Sequence, residues 1–378
     1  MPCLNEVETL ATCVHKAQRA IDKLGLAAEI IVADNGSSDG SQMVARELGV
    51  RVVDIPRKGY GSALIGGIDA ARGRFVIMGD ADDSYDFGAI GLLLDRLREG
   101  YDLVMGNRFA GGIHEGAMVW SHRWVGNPAL TFISRMFFRT PVGDMHCGLR
   151  GFRKDAYEKL RLRATGMEFA SEMVIKASLR RMKITEVPVT LSPDGRSRPP
   201  HLRTWRDGWR HLRFMLLFSP RWLFLYPGIA LFTAGLLAGA ALEIGPVRVG
   251  PFGFDIHTLL LAGFCCLIGY QLIVFAVFTK VFAIRMGFHP PNPTYASMFR
   301  YVQLETGLVV GALMFLIGVA GTVVAVLSWG AAGFGALDPR LTMREIIPAS
   351  VLLTLGVQTI FASFFLSILG IDSETEPA

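Results

Sequence analysis

Two rhythms of apolar residues divide this chain. Across residues 1–195, short apolar runs alternate with polar, helix-like segments. Glu29–Asp34 (EIIVAD), Arg51–Ile55, Arg74–Gly79 (RFVIMG) and Tyr101–Gly106 read as buried strands. Ser38–Leu48, Gly61–Ala71 and Phe87–Arg98 read as the helices between them. Strand, helix and strand in turn predict an α/β domain on a mostly parallel sheet, with ligands at the carboxyl ends of its strands. From residue 222 the rhythm changes. Trp222–Leu242, Ile256–Thr279, Thr306–Leu337 and Ile346–Ile371 contain no Asp, Glu, Lys or Arg. A bilayer span needs roughly 20 residues at about 1.5 Å rise each, so all four qualify. The third is over-long and is expected to end near Trp329. The predicted organisation is a polar domain over residues 1–200, an amphipathic interfacial helix over 201–221 and a membrane domain over 222–378. Its spans fall near 222–242, 256–279, 306–329 and 346–370.

The helix predicted over His201–Ser219 puts Arg203, Arg206, Arg210 and Arg213 on one stripe and Trp205, Trp209, Leu212 and Leu216 on the next. Tryptophans on the apolar side of a basic helix suit the surface of a bilayer. Charge follows the same division: residues 1–221 hold 32 Lys/Arg and 25 Asp/Glu, and residues 222–378 hold 6 and 8. The loop between the second and third spans carries Lys280, Arg285 and Arg300, and the opposite side Arg248, Arg340 and Arg344, partly matched by acids. Together with the basic N-terminal domain, this places the polar domain in the cytoplasm, on an integral, multi-pass protein of a cell's inner membrane.

Composition narrows the classes. With 51% apolar and 19% charged residues the chain is not disordered, and a mean hydropathy of +0.38 is high for a soluble enzyme. The five cysteines (Cys3, Cys13, Cys147, Cys265, Cys266) form no metal spacing and suggest a reducing compartment. The opening residues carry no signal-peptide pattern. The scattered histidines exclude a zincin motif, no Gly-x-Ser-x-Gly elbow is present, and no reading motif accompanies the basic residues, so nucleic acid is not an expected partner.

Three polar clusters fall at expected strand ends. In Asp34-Asn35-Gly36-Ser37-Ser38-Asp39-Gly40 a carboxylate ends a strand, and Ser38 or Asp39 can cap the next helix. Such a carboxylate can accept from a base N–H or a ribose hydroxyl. Gly79-Asp80-Ala81-Asp82-Asp83 sets three carboxylates within four residues, which repel one another unless a cation lies between them. In extended chain Asp80 and Asp82 point the same way, which suits a hard divalent ion bridging to a diphosphate. Pro56-Arg57-Lys58-Gly59-Tyr60-Gly61 opens a helix with glycines after two cations, a phosphate-binding pattern that is not a P-loop.

In order along the chain, Pro2-Cys3-Leu4-Asn5-Glu6, the Asp34 turn, the Lys58 turn and Asp80-Ala81-Asp82 resemble the family 2 glycosyltransferases with a GT-A fold. Cys147-Gly148-Leu149-Arg150-Gly151-Phe152-Arg153, Glu168-Phe169-Ala170-Ser171-Glu172-Met173 and Glu186-Val187-Pro188-Val189 extend the likeness. Over about residues 1–200 the chain is similar to the polyprenyl- and dolichyl-phosphate mannose or glucose synthase branch. The resemblance implies a Rossmann-like GT-A domain in which Pro2, Asn5, Glu6, Asp34, Asn35 and Gly36 line the nucleoside site. Lys58 and Ala81 would stand by the donor, and Asp80 and Asp82 would hold the diphosphate and its Mg²⁺ or Mn²⁺. Arg108 and Arg123 would receive the acceptor's lipid phosphate, and Arg196 and Arg198 would close on the donor. The chain departs from the pattern in three places. The family's members have an apolar strand ahead of Pro2, whereas this chain opens at Met1, so either its start lies upstream or the sheet lacks a central strand. The mannose-synthase members often carry Gln two places after the second Asp, where Ser84 stands here. The Gln-x-x-Arg-Trp signature of processive synthases has Trp120 in place of its Gln.

The expectation is an inverting glycosyltransferase moving a hexose from UDP-glucose or GDP-mannose to a polyprenyl phosphate at the cytoplasmic face. The sequence leaves a homo-oligomer open. It also leaves two alternatives: a glycosyltransferase with another lipid or glycan acceptor, and a non-catalytic membrane protein that senses nucleotide sugars. Glu168 and Glu172 could orient the sugar, with a structural role preferred, and His146 is expected to be a wall residue.

Overall fold

Helix α1 (Leu10–Lys23) shows how the first half of the chain forms its core. Leu10, Cys13, Val14, Ala17 and Ala20 recur at helical spacing and are all buried, each large side chain contributing about 1.5–3 kcal/mol. The structure, a computed structural model, describes residues 1–197, 204–287, 289–290 and 304–370. It divides into two units, Met1–Leu217 and Phe218–Ala378.

In the first unit β1 (Pro2–Cys3), β2 (Ile31–Asp34) and β3 (Arg51–Asp54) form a parallel sheet, with α1, α2 (Ser41–Glu47) and α3 (Tyr60–Ala70) as connections. The second sheet has the order β4 (Phe75–Met78), β6, β5 (Leu103–Asn107), β7 (Ile184–Pro188). Between β4 and β5 come α4 (Ile90–Arg98), and after β5 come α5 (Arg108–Gly111) and α6 (Asn127–Phe138). Strand β6 (Arg150–Arg153) enters antiparallel, Met78 opposite Arg150 on one side and Leu103 opposite Phe152 on the other. The run RGFR gives no apolar strand signal, so periodicity alone does not reveal it. Helices α7 (Lys154–Leu160) and α8 (Phe169–Leu179) precede β7, and α9 (Thr204–Leu217) ends the unit. With β1 only two residues long, the sheet stands in two pieces. A cavity of about 500 Å³, lined by Ile31, Ala33, Ile68, Ile77 and Met78 among other apolar residues, lies between them. Asp34, Asp80 and Asp82 do not line it.

The second unit contains α10 (Tyr226–Ile244), a hairpin of β8 (Val247–Val249) and β9 (Phe252–Phe254), α11 (Ile256–Arg285), α12 (Leu304–Ala331) and α13 (Pro339–Gly370). Four helical stretches are long and apolar enough to cross a membrane. The second runs on through Lys280 to Arg285, past its charge-free stretch. The fourth starts at Pro339 rather than Ile346, taking in Arg340, Arg344 and Glu345. Long basic side chains at a helix end can reach the headgroup level, so the helix need not stop where the charge-free run does.

Candidate active site

The site is assembled from loops that leave the strands. Asp34 ends β2, and its Oδ2 accepts from Gly36 N (2.9 Å), Ser37 N (3.0 Å) and Gln42 Nε2 (2.6 Å). Burial pushes this carboxyl up, but the bonds from Ser37, Gln42 and Gly36 outweigh it and hold it below the ordinary range. Its Oδ1 is buried without a hydrogen-bond partner, an acceptor left for a ligand. Asn35 is spent on the fold: Nδ2 donates to Ile55 O and Arg57 O, and Oδ1 accepts from Gly59 N at 2.7 Å. Lys58 Nζ donates to Asn35 O at 2.7 Å and closes over Gly36, whose φ of +87° and proximity to that amine leave no room for a side chain. Asn5 Oδ1 accepts from Ser38 N, and Glu6 N donates to Ser41 Oγ, so the 2–6 segment is fastened to the Asp34 turn. Helix α2 begins after Gly40, while Asp39 accepts from Ser41 N and Oγ.

The three carboxylates after β4 are dispersed rather than aligned. Residues 80–83 bend, with Asp83 at φ +64°, so the extended alternation expected for Asp80 and Asp82 is not present. Asp83 is drawn aside by Lys16 (2.7 Å). Asp82 Oδ1 accepts from Ser84 N and Oγ, and Oδ2 from Arg196 at 3.0 Å. Asp80 Oδ1 accepts from the Tyr60 hydroxyl at 2.9 Å. Burial, then the neighbouring Asp82, push the Asp80 carboxyl up to about 6, against the Tyr60 bond and the Arg150 and Arg196 charges. Ala81 is buried, its carbonyl accepting from Thr9 Oγ1. Among the described residues, no group of three or more His, Cys, Asp or Glu side chains is arranged to hold a metal ion. The donor set nonetheless fits a hard divalent cation. Asp80 Oδ2 accepts no hydrogen bond among the described residues, and one or two carboxylates completed by substrate phosphates are what Mg²⁺ or Mn²⁺ takes.

The 147–153 run supports this site from below. A Cβ at Gly148 would stand 2.3 Å from Asp80 Oδ2, so only glycine fits. Arg150 is fully buried and gives its guanidinium to the carbonyls of Cys147 and Ala170, a fixed cation behind Asp80. The 147–153 motif by itself assigns this arginine no role. Tyr60 and Tyr85, which accepts from Gly148 N at 2.8 Å, were missed too. Glu172 binds the amides of Arg163 and Ala164 and the Lys176 ammonium, a structural duty. His146 and His211 stack edge to face at 4.6 Å, and both bond Ser171.

The arginines fare differently. Arg108 is buried and bidentate with Asp144, Nε to Oδ2 at 2.6 Å and Nη2 to Oδ1 at 2.8 Å. Asp144 N and Gly143 N in turn donate to Glu186. Arg123 sits on a π-helical turn, His122–Gly126, over the Trp124 ring. Arg196 reaches Glu6, Asp82 and Asp194. Arg198, His201 and Arg203 lie outside the described residues, as does Arg300.

Helix α9 buries Asp207, His211 and Met215. It leaves Trp205 90% and Trp209 57% exposed. Helix α6 packs on it, and the stretch leading into and through α6 also exposes Trp120, Trp124, Val125, Phe132 and Met136. Apolar residues at 120, 124, 132 and 136 fall at multiples of four, a pattern present in the sequence itself.

A model described as glycosyl transferase family 2 matches residues 1–161, and one described as the glycosyltransferase family 2 C-terminal transmembrane region matches residues 277–370. The low-salt glycan biosynthesis hexosyltransferase Agl6 of Haloferax volcanii is 37% identical over 98% of this chain and 88% of its own. A dolichyl-phosphate hexose transferase of the same organism is 28% identical over 50% of this chain and 79% of its own. Among solved structures, glucosyl-3-phosphoglycerate synthase from Mycobacterium tuberculosis in complex with Mn²⁺, uridine diphosphate and glucosyl-3-phosphoglycerate is 22% identical. It covers 57% of this chain and 75% of that one with a TM-score of 0.45. With a relative this similar along nearly its whole length, and both the enzyme domain and the membrane region matched, the chain belongs to glycosyltransferase family 2 and is a membrane glycosyltransferase with a GT-A-like domain.

Proposed function

We propose that this glycosyltransferase moves a hexose from a nucleoside diphosphate donor to a polyprenyl phosphate at the cytoplasmic face of the membrane. The observation that carries the reading is one unit holding both an acidic site at strand ends and a tryptophan-bearing exposed face on α6 and α9. Exposed Trp beside Arg206 and Arg210 suits the headgroup level of a bilayer, where a prenyl acceptor is anchored. The dolichyl-phosphate relative supports the acceptor class. The orientation is supported by the basic balance of residues 1–221, 32 Lys/Arg against 25 Asp/Glu, ahead of the first span.

The acceptor phosphate is ionised at neutral pH and needs no strong general base, so positioning and electrostatics carry the reaction. Asp34 Oδ1 accepts from the base or ribose. Asp80 and Asp82 would hold Mg²⁺ or Mn²⁺ beside the donor's diphosphate. Bound there, the ion neutralises charge on the leaving diphosphate. Arg123 aligns the acceptor phosphate, and Arg108, committed to Asp144, shapes the wall behind it. In-line attack at the anomeric carbon inverts it, giving a β-linked lipid phosphate sugar from an α donor. A different lipid or glycan acceptor is the second reading, favoured by that commitment of Arg108.

The test is label transfer in membranes from UDP-glucose or GDP-mannose to polyprenyl phosphate. Organic-extractable, acid-labile label, lost on adding chelator and reduced about 10²–10³-fold in Asp82→Asn, is the expected result. Label that transfers only to a non-phosphorylated lipid or a glycan would establish the second reading, and a fully active Asp82→Asn would point to neither.

A further inference from the structure

The segment 191–197 lies on the acidic site. Leu191 bridges to Tyr85 and Ile113, Ser192 N donates to Ser84 O at 2.9 Å, and Gly195 N to Asp82 O at 3.0 Å. Arg196 then divides one guanidinium among three carboxylates. Nη1 meets Glu6 Oε1 at 3.1 Å, while Nη2 meets Asp82 Oδ2 at 3.0 Å and Asp194 Oδ2 at 2.8 Å. Ser197 fastens the end with two bonds to Glu8, at 2.8 and 2.6 Å. Only 10% of the Arg196 side chain is exposed.

Two consequences follow from this geometry. Both oxygens of Asp82 are engaged, Oδ1 by Ser84 and Oδ2 by Arg196, so a metal ion at Asp82 Oδ2 meets the like charge of the guanidinium and is favoured once that group leaves. Among the described residues Arg196 faces three carboxylates, Glu6, Asp82 and Asp194, and a compact divalent ion suits such a cluster better than a spread single charge. A displaced guanidinium needs a new partner, and a diphosphate offers the bidentate oxygens that suit it.

We propose that Arg196 is the resident counter-cation of the donor-free site, and that the divalent ion enters by exchange with it, the freed guanidinium passing to the donor's diphosphate. This rests on the reading of Asp80 and Asp82 as the seat of the ion. Metal alone then binds weakly and metal with nucleoside diphosphate binds well, because only the second supplies a destination for Arg196.

The experiment is Mn²⁺ binding, followed by the electron paramagnetic resonance of free Mn²⁺, to the full chain in nanodiscs with and without UDP or GDP. Without nucleotide, Arg196→Ala should bind Mn²⁺ about ten-fold more tightly than wild type, and Arg196→Lys should stay near wild type. Glu8→Gln, which loosens the Ser197 fastening and leaves the acids intact, should give a smaller gain of the same sign and carries the test if Arg196→Ala fails to fold. Unchanged or weaker Mn²⁺ binding in Arg196→Ala, or in Glu8→Gln if that variant stands alone, overturns the exchange. If wild type still binds Mn²⁺ with nucleotide and Asp82→Asn does not, the cation seat survives that result and only the exchange falls. If no protein binds Mn²⁺ even with nucleotide, the seat itself is wrong and the proposal falls with it.

Discussion

The two units solve opposite packing problems. In Met1–Leu217 the interior contains charge that is met by specific partners: Arg150 by carbonyls, Arg108 by Asp144, Glu172 by Lys176 at 2.7 Å. In Phe218–Ala378 the helices meet by omission of side chains. A Cβ at Gly269 would stand 2.4 Å from Phe232 N where α11 crosses α10. One at Gly318 would stand 2.5 Å from Leu353 N where α12 meets α13, and one at Gly356 2.5 Å from Phe315 N. Water makes burial of apolar surface favourable and lets directional polar bonds select one arrangement. Lipid offers no such drive between helices, so close backbone approach at small residues takes over. One chain folds by both rules because its halves have different solvents.

The largest expected effect breaks the first rule. Asp144→Asn leaves the buried Arg108 guanidinium without its carboxylate and should cost about 3–5 kcal/mol, read as a lowered thermal midpoint of the full chain in detergent. The double change Asp144→Leu with Arg108→Met should recover most of that loss. A drop below about 1 kcal/mol in the single variant would show the pair to be solvated. Next, Gly318→Leu should weaken the α12–α13 contact by about 1–3 kcal/mol. Gly239→Leu, where nothing lies within 4 Å of the added carbon, should change stability by less than about 0.5 kcal/mol. Equal losses at both glycines would remove the close-approach account of the membrane unit.

The smallest effect sharpens the comparison through pH. Burial lowers the His211 imidazole to about 4 and holds His146 well below its usual range. His211's contribution is complete above about 6.5 and is lost as pH falls through about 4, so the wild type should lose about 1 kcal/mol between pH 7 and 5.5 from this group. Asp80, raised to about 6, acts in the other direction, its contribution present below about 4 and lost as pH rises through 6. His211→Asn should therefore flatten the acid-side decline in thermal midpoint. An unchanged slope would mean that His211 is not buried as the neutral imidazole.

Much of the fold is written in local pattern. Strand β2 forms at Ile31–Asp34 within the expected Glu29–Asp34, β3 at Arg51–Asp54, α3 at Tyr60–Ala70, and the membrane helices overlap all four apolar stretches. Strand β6 was not legible, because arginines at both ends flank a single Gly-Phe pair and the strand is stabilised by neighbours from distant parts of the chain. The candidate site was half legible. Asp34, Asp80 and Asp82 stand out as carboxylates at strand ends, whereas Asp83 looks equivalent in sequence and is removed by Lys16, far away along the chain.

Sequence by itself determined the solvent of each segment, the type of most elements and which short runs carry chemistry, because hydrophobic period and turn chemistry act over a few residues. Tertiary structure alone decided the partners. Arg196 meets Glu6 across 190 positions and Asp82 across 114, Arg108 meets Asp144 across 36, and Arg150 lies beneath Asp80 through an antiparallel pairing. Such pairings depend on how a sheet is ordered and on which loop covers its end. A side chain's charge and shape make it able to bind many partners, and only the folded backbone brings one of them within 3 Å.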